Sequence, residues 1–243
     1  MNQTSNNSNL VPVTFRVRVA KEKRERMRQR IQVAAVEIFS TASAVKAPVI
    51  EDIIQQAGIS RGSFYKYYDS LDSLLTEIGK QTASDILHAY QSMLPILDNA
   101  PAYLLAGPIL SMLHAAMQPG KALMISRIDF VEYFSQEDRL REIVQEALSD
   151  NQRQQNIHYG SLDLATDFVV GSTLEAILRV ANDKRIREDY IKNMTLMIAA
   201  GLNMHPDQAR QAVDTSWQRI LSNSKIFTWW QTEQLDQKKV TQG

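Results

Sequence analysis

Apolar side chains recur at helical spacing early in the chain, and this periodicity most constrains its fold. From Ile31 to Phe39 the apolar residues occupy positions i, i+3, i+4, i+7 and i+8, which form one face of an α-helix. Only 9 glycines and 7 prolines interrupt the 243 residues, and strand-type alternation is hard to find. The sequence therefore predicts an all-α protein, with an N-terminal three-helix head and a larger C-terminal helical body.

Glycine, proline and capping residues predict where the helices begin and end. The first helix is expected over about 21–40, and a short helix lies between Pro48 and Gly58. Ser60 and Ser70 are expected to cap the next two helices. The helices that these serines cap are predicted near 61–66 and 71–94. The later helices are predicted near 101–117, 121–134, 138–155, 162–181, 187–203 and 206–222. The predicted organisation is a flexible basic arm (1–20), a helix-turn-helix domain (21–69), a ligand-binding and dimerisation body (70–225) and a polar tail (226–243).

Charge is distributed unevenly along the chain, although the net charge is zero. Residues 1–66 contain 11 Lys/Arg and 5 Asp/Glu, whereas residues 67–243 contain 16 and 22. A basic N-terminal third joined to an acidic remainder indicates that the first part alone meets a polyanion.

Several classes of protein are disfavoured by what the sequence lacks. The absence of cysteine excludes disulfides, thiolate catalysis and cysteine-ligated zinc. The 4 histidines show no H-x-x-x-H spacing, and there is no phosphate-binding glycine loop, so no catalytic residue, cofactor or metal is predicted. No signal-peptide pattern opens the chain, and no apolar run reaches the ~18 residues of a membrane span. A cytoplasmic protein is expected.

The stretch ISRGSFYKYY, residues 59–68, combines basic and aromatic residues directly after Gly58. Two short helices separated by AGIS have the arrangement of a helix-turn-helix, whose second helix enters the major groove of DNA. Short hydroxyls near the start of that helix suit a phosphate, as does Arg61, which also suits a base edge. Lys66 adds a charge that neutralises the DNA backbone.

The other residues of this helix divide between DNA and core. Gly62 would let the backbone approach DNA, and Tyr65 can bond a phosphate or pack on a thymine methyl group. Phe64 and Tyr68 are assigned to the core of the head. Each feature alone is ordinary, because glycine-bounded helix pairs, packed tyrosines and solvated basic faces are common in all-α proteins. Their combination in the basic third favours DNA binding.

The segments RIQVAAVEIF and IEDIIQQAGISRGSFYKYYDSLDSLL resemble the DNA-binding region of the TetR family of repressors. The shared pattern is an Ile-rich second helix, then AG-V/I-S, then x-G-T/S-x-Y-x-H/Y-F/Y. The rest of the chain resembles the family in being a helical body of suitable length. The residues expected at the DNA interface are Lys23, Arg24, Val49, Ser60, Arg61, Gly62, Ser63, Tyr65, Lys66 and Tyr67.

Three positions depart from the family pattern. The glycine usual after the first helix is missing from STASAVKA, and the threonine that usually opens the second helix is replaced near Val49. The lysine that usually opens the fourth helix is Leu71. Because the last two changes remove phosphate contacts, the basic residues at the N-terminal end are expected to compensate, namely Arg16, Arg18, Lys21, Lys23 and Arg24.

The resemblance implies that two late helices from each of two copies form a four-helix dimer interface. The helices near 162–181 and 187–203 are apolar enough, although the same residues could form an internal core. The interface residues expected are Phe168, Gly171, Leu174, Leu178, Ile191, Met194, Met197 and Ile198.

The central helices would then surround a pocket for a small apolar or amphipathic effector. Apolar walls with a few polar groups are typical of such sites, and equally of helical cores. The pocket residues expected are Tyr103, Met112, His114, Met117, Arg127, Tyr133 and Phe134.

These patterns predict a homodimeric TetR-type repressor that binds double-stranded DNA at a palindromic operator. A small-molecule effector would shift the protein between two conformations. Two alternatives stay open: a TetR-like interaction module that has lost specific DNA binding, and an all-α enzyme. Salt-sensitive duplex binding would distinguish the repressor from both.

Overall fold

A computed structural model describes residues 13–41, 48–125, 138–183 and 188–231. The helices are α1 (Val13–Thr41), α2 (Ile50–Ala57), α3 (Arg61–Tyr65), α4 (Leu71–Met93), α5 (Ala100–Met117), α6 (Pro119–Ile125), α7 (Asp138–Arg153), α8 (Leu162–Asn182), α9 (Glu188–Gly201) and α10 (Pro206–Ser222), and a 3-10 turn follows at Ser224–Ile226. The described residues contain no strand, which confirms the all-α prediction.

Local signals in the sequence account for the helix ends around the turn. Gly58 ends α2 with a φ of 59°, a left-handed conformation that glycine adopts without steric cost. Ser60 and Ser70 cap α3 and α4, because their hydroxyl oxygens accept the backbone N–H groups of Ser63 and Ser73 at 3.1 and 3.0 Å. These three predicted boundaries are confirmed.

The head comprises α1, α2, α3 and the first turns of α4 around one apolar core. Ile31, Ile53, Phe64 and Leu74 come from four different helices, and all are fully buried. Burying each such side chain contributes about 2 kcal/mol. This tertiary contact is what holds α3, since an isolated helix of five residues is not stable in water.

Helix α6 connects the head to the body. Its Met124 is buried in the core of the head, and Gly120 lies against the last turns of α1. A Cβ added at Gly120 would approach Val36 Cγ1 to 2.8 Å, and the Val36 carbonyl oxygen and Ser40 Oγ still more closely. The absence of a side chain therefore lets α6 pack directly on the backbone of α1.

Helix α5 is the central helix of the body and contacts α4, α7, α8, α9 and α10. Its buried residues lie on every side of the helix, which explains why apolar residues occupy all of its faces. By length and composition it is the single described helix that could cross a membrane, but most of it is buried inside the bundle.

The first helix begins earlier than predicted. Residues 13–20, expected in a flexible arm, are the first turns of α1. Neither glycine nor proline interrupts this stretch, and Arg18 and Glu22 form an i, i+4 ion pair of 3.8 Å that supports the helix. The basic arm is thus, from Val13 onward, a helical extension of the head.

The C-terminal prediction also needs correction. The polar tail was expected from residue 226, yet Phe227 and Trp229 are buried and stack with ring centroids 5.4 Å apart. These aromatic side chains pack against the body because they gain more from burial than from exposure. The predicted helix over 121–134 corresponds to α6 up to Ile125, and its remainder lies outside the described residues.

Candidate nucleic-acid interface

Helix α3 has one face in the core of the head and the other in solvent. Phe64 is fully buried, and its ring meets the ring of Tyr65 edge-on at 5.5 Å. Tyr65 is 42% exposed, and Arg61, Gly62 and Lys66 are exposed as well. The residues expected to contact DNA therefore lie on the side away from the residue that anchors the helix.

The remaining predicted residues surround this face. Ser60 is exposed, and its hydroxyl lies 2.9 Å from that of Ser63, which is partly buried. Tyr67 is partly buried and packs against the core of the head. Val49 is 48% exposed just before α2, and its N–H donates to Asp52 Oδ2 at 3.0 Å.

A polar cluster around Tyr68, three residues after the end of α3, links this end of the helix to α1 and α4. The Tyr68 hydroxyl donates to Glu77 Oε1 at 3.3 Å and accepts from Gln32 Nε2 at 3.2 Å. Glu77 also accepts from Gln32 at 2.8 Å and forms an ion pair with Arg28. Burial raises the pKa of Tyr68, so its hydroxyl stays protonated and can donate. This cluster was not predicted from the sequence. The one feature that could have indicated it is that two amphipathic helices carry opposite charges, Arg28 on α1 and Glu77 on α4.

Arg61 has an acidic neighbour that sequence reasoning missed. Its Nη1 lies 2.8 Å from Glu51 Oε1 on α2, and its guanidinium carbon lies 5.8 Å from the ring centre of Tyr65. Both charged side chains are mostly exposed. Exposed ion pairs contribute about 0–1 kcal/mol, so a phosphate or guanine can replace Glu51 at little cost.

Basic residues of α1 add to the positive charge of the head. Arg30, also missed, donates from Nη2 to the Gly58 carbonyl oxygen at 3.3 Å and so lies at the turn between α2 and α3. Lys23 and Arg24 are exposed about two turns earlier in α1. The turn, α3 and the exposed part of α1 together carry the cations Arg24, Arg30 and Lys66.

A cavity of about 120 Å³ lies in the body between α4, α5, α7 and α8. Its described walls are apolar apart from a few hydroxyl groups. They consist of Gly79, Thr82, Ala83, Ile86, Tyr90, Leu104, Gly107, Pro108, Ser111, Leu140, Ile143, Val144, Ala147, Val169, Val170, Thr173, Leu174 and Ile177.

The four predicted pocket residues that the structure describes do not line this cavity. Tyr103 stacks on the cavity residue Tyr90, with ring centroids 4.3 Å apart. Met112, His114 and Met117 are buried elsewhere around α5. Since α5 is apolar on every face, its sequence does not show which face meets the cavity. The other three, Arg127, Tyr133 and Phe134, lie outside the described residues.

His114 instead belongs to a buried cluster with the C-terminal aromatic residues. The ring centroids of His114 and Trp229 lie 5.0 Å apart. Among the described residues, neither His114 Nε2 nor Trp229 Nε1 has a hydrogen-bond partner. Burial, and then the positive charge of Lys121, lower the pKa of His114 to about 4. Lys121 is paired with Asp85 at 3.3 Å. His114 is therefore neutral at physiological pH.

The predicted dimer residues divide into exposed and interior groups. Phe168, Gly171 and Met197 are exposed on α8 and α9. They belong to an apolar patch, the α8–α9 patch, which comprises Leu164, Phe168, Gly171, Met197 and Gly201. Gly201 lies under the Phe168 ring so closely that a Cβ there would clash with it. Leu164 and Met197 are each 69% exposed.

The other predicted dimer residues face the chain's own interior. Leu174, Leu178 and Met194 are partly buried, and Leu174 lines the cavity. Ile191 and Ile198 are at most 1% exposed, so the prediction that they form an interface was wrong. They lie on the inward face of α9, whereas Met197 lies on the outward face.

No protein-family model and no curated protein matches the chain. Solved structures do match it. RolR in complex with resorcinol has 19% sequence identity and a TM-score of 0.53, over 79% of this chain and 95% of RolR. The TetR family protein CprB from S. coelicolor A3(2) has 15% identity and a TM-score of 0.61, over 83% and 100%. The fatty acid degradation regulator FadR from Bacillus halodurans has 16% identity and a TM-score of 0.59, over 74% and 97%.

These likenesses extend over head and body together, and the matched proteins are covered almost completely. At such low identity they establish a fold, and they agree with the sequence resemblance around the helix-turn-helix. The chain has the fold of TetR-family regulators.

Proposed function

We propose that the chain is a transcriptional repressor that binds an operator through α3 and is controlled by a small molecule bound in the body. The single observation that carries this proposal is the division of α3 into a rigidly anchored face and an exposed basic and aromatic face. Phe64 and the Tyr68–Glu77 hydrogen bond hold the helix in place. A recognition helix needs such support because base contacts require a fixed orientation. Such a repressor would act in the cytoplasm.

Gly62 supports this assignment. A Cβ added there would have no neighbour within 4 Å in the described part of the chain, so no described contact requires a glycine at this position. An α-carbon without a side chain does allow the first turn of a helix to approach a DNA backbone. Tyr65 and Lys66, which lie beyond it, are then in reach of phosphates and base edges.

The α8–α9 patch supports a homodimer. Leu164 and Met197 are large apolar side chains that remain in solvent in the single chain. A second copy related by a twofold axis would cover both patches at once. Two recognition helices related by that axis would match a palindromic operator.

Helix α4 links the cavity to the head and so supports control by an effector. Leu74 and Ile78 of α4 are buried in the head core, while Thr82, Ile86 and Tyr90 of the same helix line the cavity. A ligand that prefers one position of α4 would shift the population of head orientations. In the repressor that we propose, the ligand prefers the orientation that fits DNA poorly.

The Arg61–Glu51 ion pair favours the alternative of an interaction module without specific DNA binding. An acidic residue on the proposed DNA face repels phosphates and pairs with one of the cations. The exposed pair is weak, however, and Lys66 and Arg30 remain on the same surface. We therefore keep DNA binding as the proposal and test the alternative directly.

The test is a selection of randomised duplex DNA by the purified protein, followed by affinity measurements against salt concentration. We expect a palindromic winner whose affinity falls steeply with salt. Lys66→Ala should weaken binding by about 1–3 kcal/mol and reduce the salt slope by about 0.9. Lys225→Ala changes an exposed lysine of the body and should leave both unchanged. No enriched sequence, or equal behaviour of the two variants, would favour the interaction module.

A further inference from the structure

We propose that the effector of this cavity is a neutral molecule of about one ring that carries an O–H or N–H donor, accepted by the hydroxyl oxygens of Thr82, Ser111 or Thr173. The inference rests on the proposed ligand control and names its ligand class. Three observations carry it: the size of the cavity, the absence of charge from its described walls, and the hydrogen bonds that its hydroxyls already make.

Size comes first. The cavity measures about 120 Å³. An apolar protein cavity of about 150 Å³ is known to bind benzene. The space between the described walls therefore fits one ring or a short branched chain.

Charge is the second constraint. The described wall residues include no Asp, Glu, Lys, Arg or His. An ionised carboxylate or ammonium group would lose its water without gaining an opposite charge, which is strongly unfavourable in an apolar site. The ligand class is therefore neutral.

The hydroxyls of the wall determine which polar group the ligand carries. Thr82 Oγ1 donates to the Ile78 carbonyl at 2.9 Å, and Ser111 Oγ donates to the Gly107 carbonyl at 2.9 Å. Thr173 Oγ1 donates to the Val169 carbonyl at 2.7 Å. A hydroxyl has one hydrogen and two lone pairs. Since each hydrogen is already used within its own helix, the wall offers acceptors to a ligand.

Tyr90 adds no charge to the wall. Its ring stacks on that of Tyr103, with ring centroids 4.3 Å apart. Burial keeps the pKa of Tyr90 raised, so the phenol carries no charge. The acceptors of Thr82, Ser111 and Thr173 come from α4, α5 and α8, so a donor on the ligand would connect α4 to the rest of the body.

The experiment measures the dissociation constants of three probes of similar size by calorimetry on the full chain. Phenol carries a donor, toluene has a methyl group in its place, and benzoate is charged. We expect phenol to bind about tenfold more tightly than toluene, as one additional hydrogen bond would produce. Benzoate should show no binding at the same concentration.

Substitutions then locate the acceptor. Thr82→Val, Ser111→Ala and Thr173→Val each remove one hydroxyl with little change in shape. Thr195→Val is the matched control, because Thr195 is buried and donates to the Ile191 carbonyl at 2.8 Å but does not line the cavity. At least one wall variant should reduce phenol affinity to that of toluene, while Thr195→Val keeps the preference.

The inference is overturned if toluene binds as tightly as phenol, if benzoate binds as well as either, or if no probe binds. It is also overturned if every wall variant keeps the phenol preference. None of these results bears on DNA binding by α3, which the duplex selection measures without ligand. Failure of the ligand class and failure of the proposed repressor function are therefore distinguishable.

Discussion

Gly120→Ala should destabilise the protein at the contact between head and body. The new methyl group would lie too close to three atoms of α1, among them Val36 Cγ1 at 2.8 Å. One of the other two is the Val36 carbonyl oxygen, which belongs to the backbone and cannot rotate away. The third, Ser40 Oγ, is held by its hydrogen bond to that same carbonyl at 2.7 Å. Helix α6 must therefore move away from α1.

The magnitude follows from two opposing effects. Forcing an extra methyl group into a packed contact costs about 1–3 kcal/mol, and a rigid neighbour places the cost in the upper part of that range. Replacing glycine by alanine within a helix returns at most about 1 kcal/mol, and less in a first turn such as this. We expect a net loss of about 2 kcal/mol in the free energy of unfolding, or about 4–8 °C in the melting temperature of a domain of this size.

Calorimetry or circular dichroism on heating measures this loss, and Gly62→Ala is the matched control. Gly62 is also helical, but an added Cβ has no neighbour within 4 Å among the residues that the structure describes. Its melting temperature should stay within about 2 °C of the wild type or rise slightly. If Gly120→Ala melts like Gly62→Ala, the close packing of α6 on α1 does not exist as described. On DNA, by contrast, Gly62→Ala should weaken operator binding because it thickens α3.

Four further perturbations test other parts of the structure. The free energy of unfolding should fall by up to about 3 kcal/mol as the pH drops from 6.5 towards 4, because His114 binds a proton in the unfolded chain but stays neutral when buried. His114→Gln should flatten this part of a plot of melting temperature against pH. Glu77→Ala should cost about 2 kcal/mol in urea unfolding, since three polar groups lose their shared acceptor. Met197→Glu should convert a dimer to a monomer in sedimentation, whereas Leu94→Glu, at another exposed apolar residue, should not. Deletion of residues 1–20 should lower operator affinity and its salt dependence, and unchanged binding would remove the N-terminal part of α1 from the interface.

Much of the fold could be predicted from the sequence because its determinants are local. The bounds of α10 were predicted as observed, since a proline at the start and apolar spacing act within the helix itself. Gly58 and the caps Ser60 and Ser70 likewise act on their nearest neighbours. The assignment of Phe64 to the core followed from the need to hold a short helix.

Other features depended on contacts between distant parts of the chain. Helix α5 is apolar on every side, so nothing local distinguishes Leu104, which lines the cavity, from Leu105, which does not. The pairing of Arg61 with Glu51 requires the angle between α2 and α3, which the turn and the head core determine together.

Features that depend on the periodicity of the sequence were thus predictable, and features that depend on tertiary packing were not. The sequence by itself determined that the chain is helical, where most helices end and which short helix carries the basic and aromatic residues, because these properties depend on neighbours along the chain. Only the tertiary structure decided that Ile191 and Ile198 face inward while Met197 faces solvent. The physical reason is that an apolar residue gains the same free energy whether its own fold or a second molecule covers it, and the arrangement of the helices alone determines which one does.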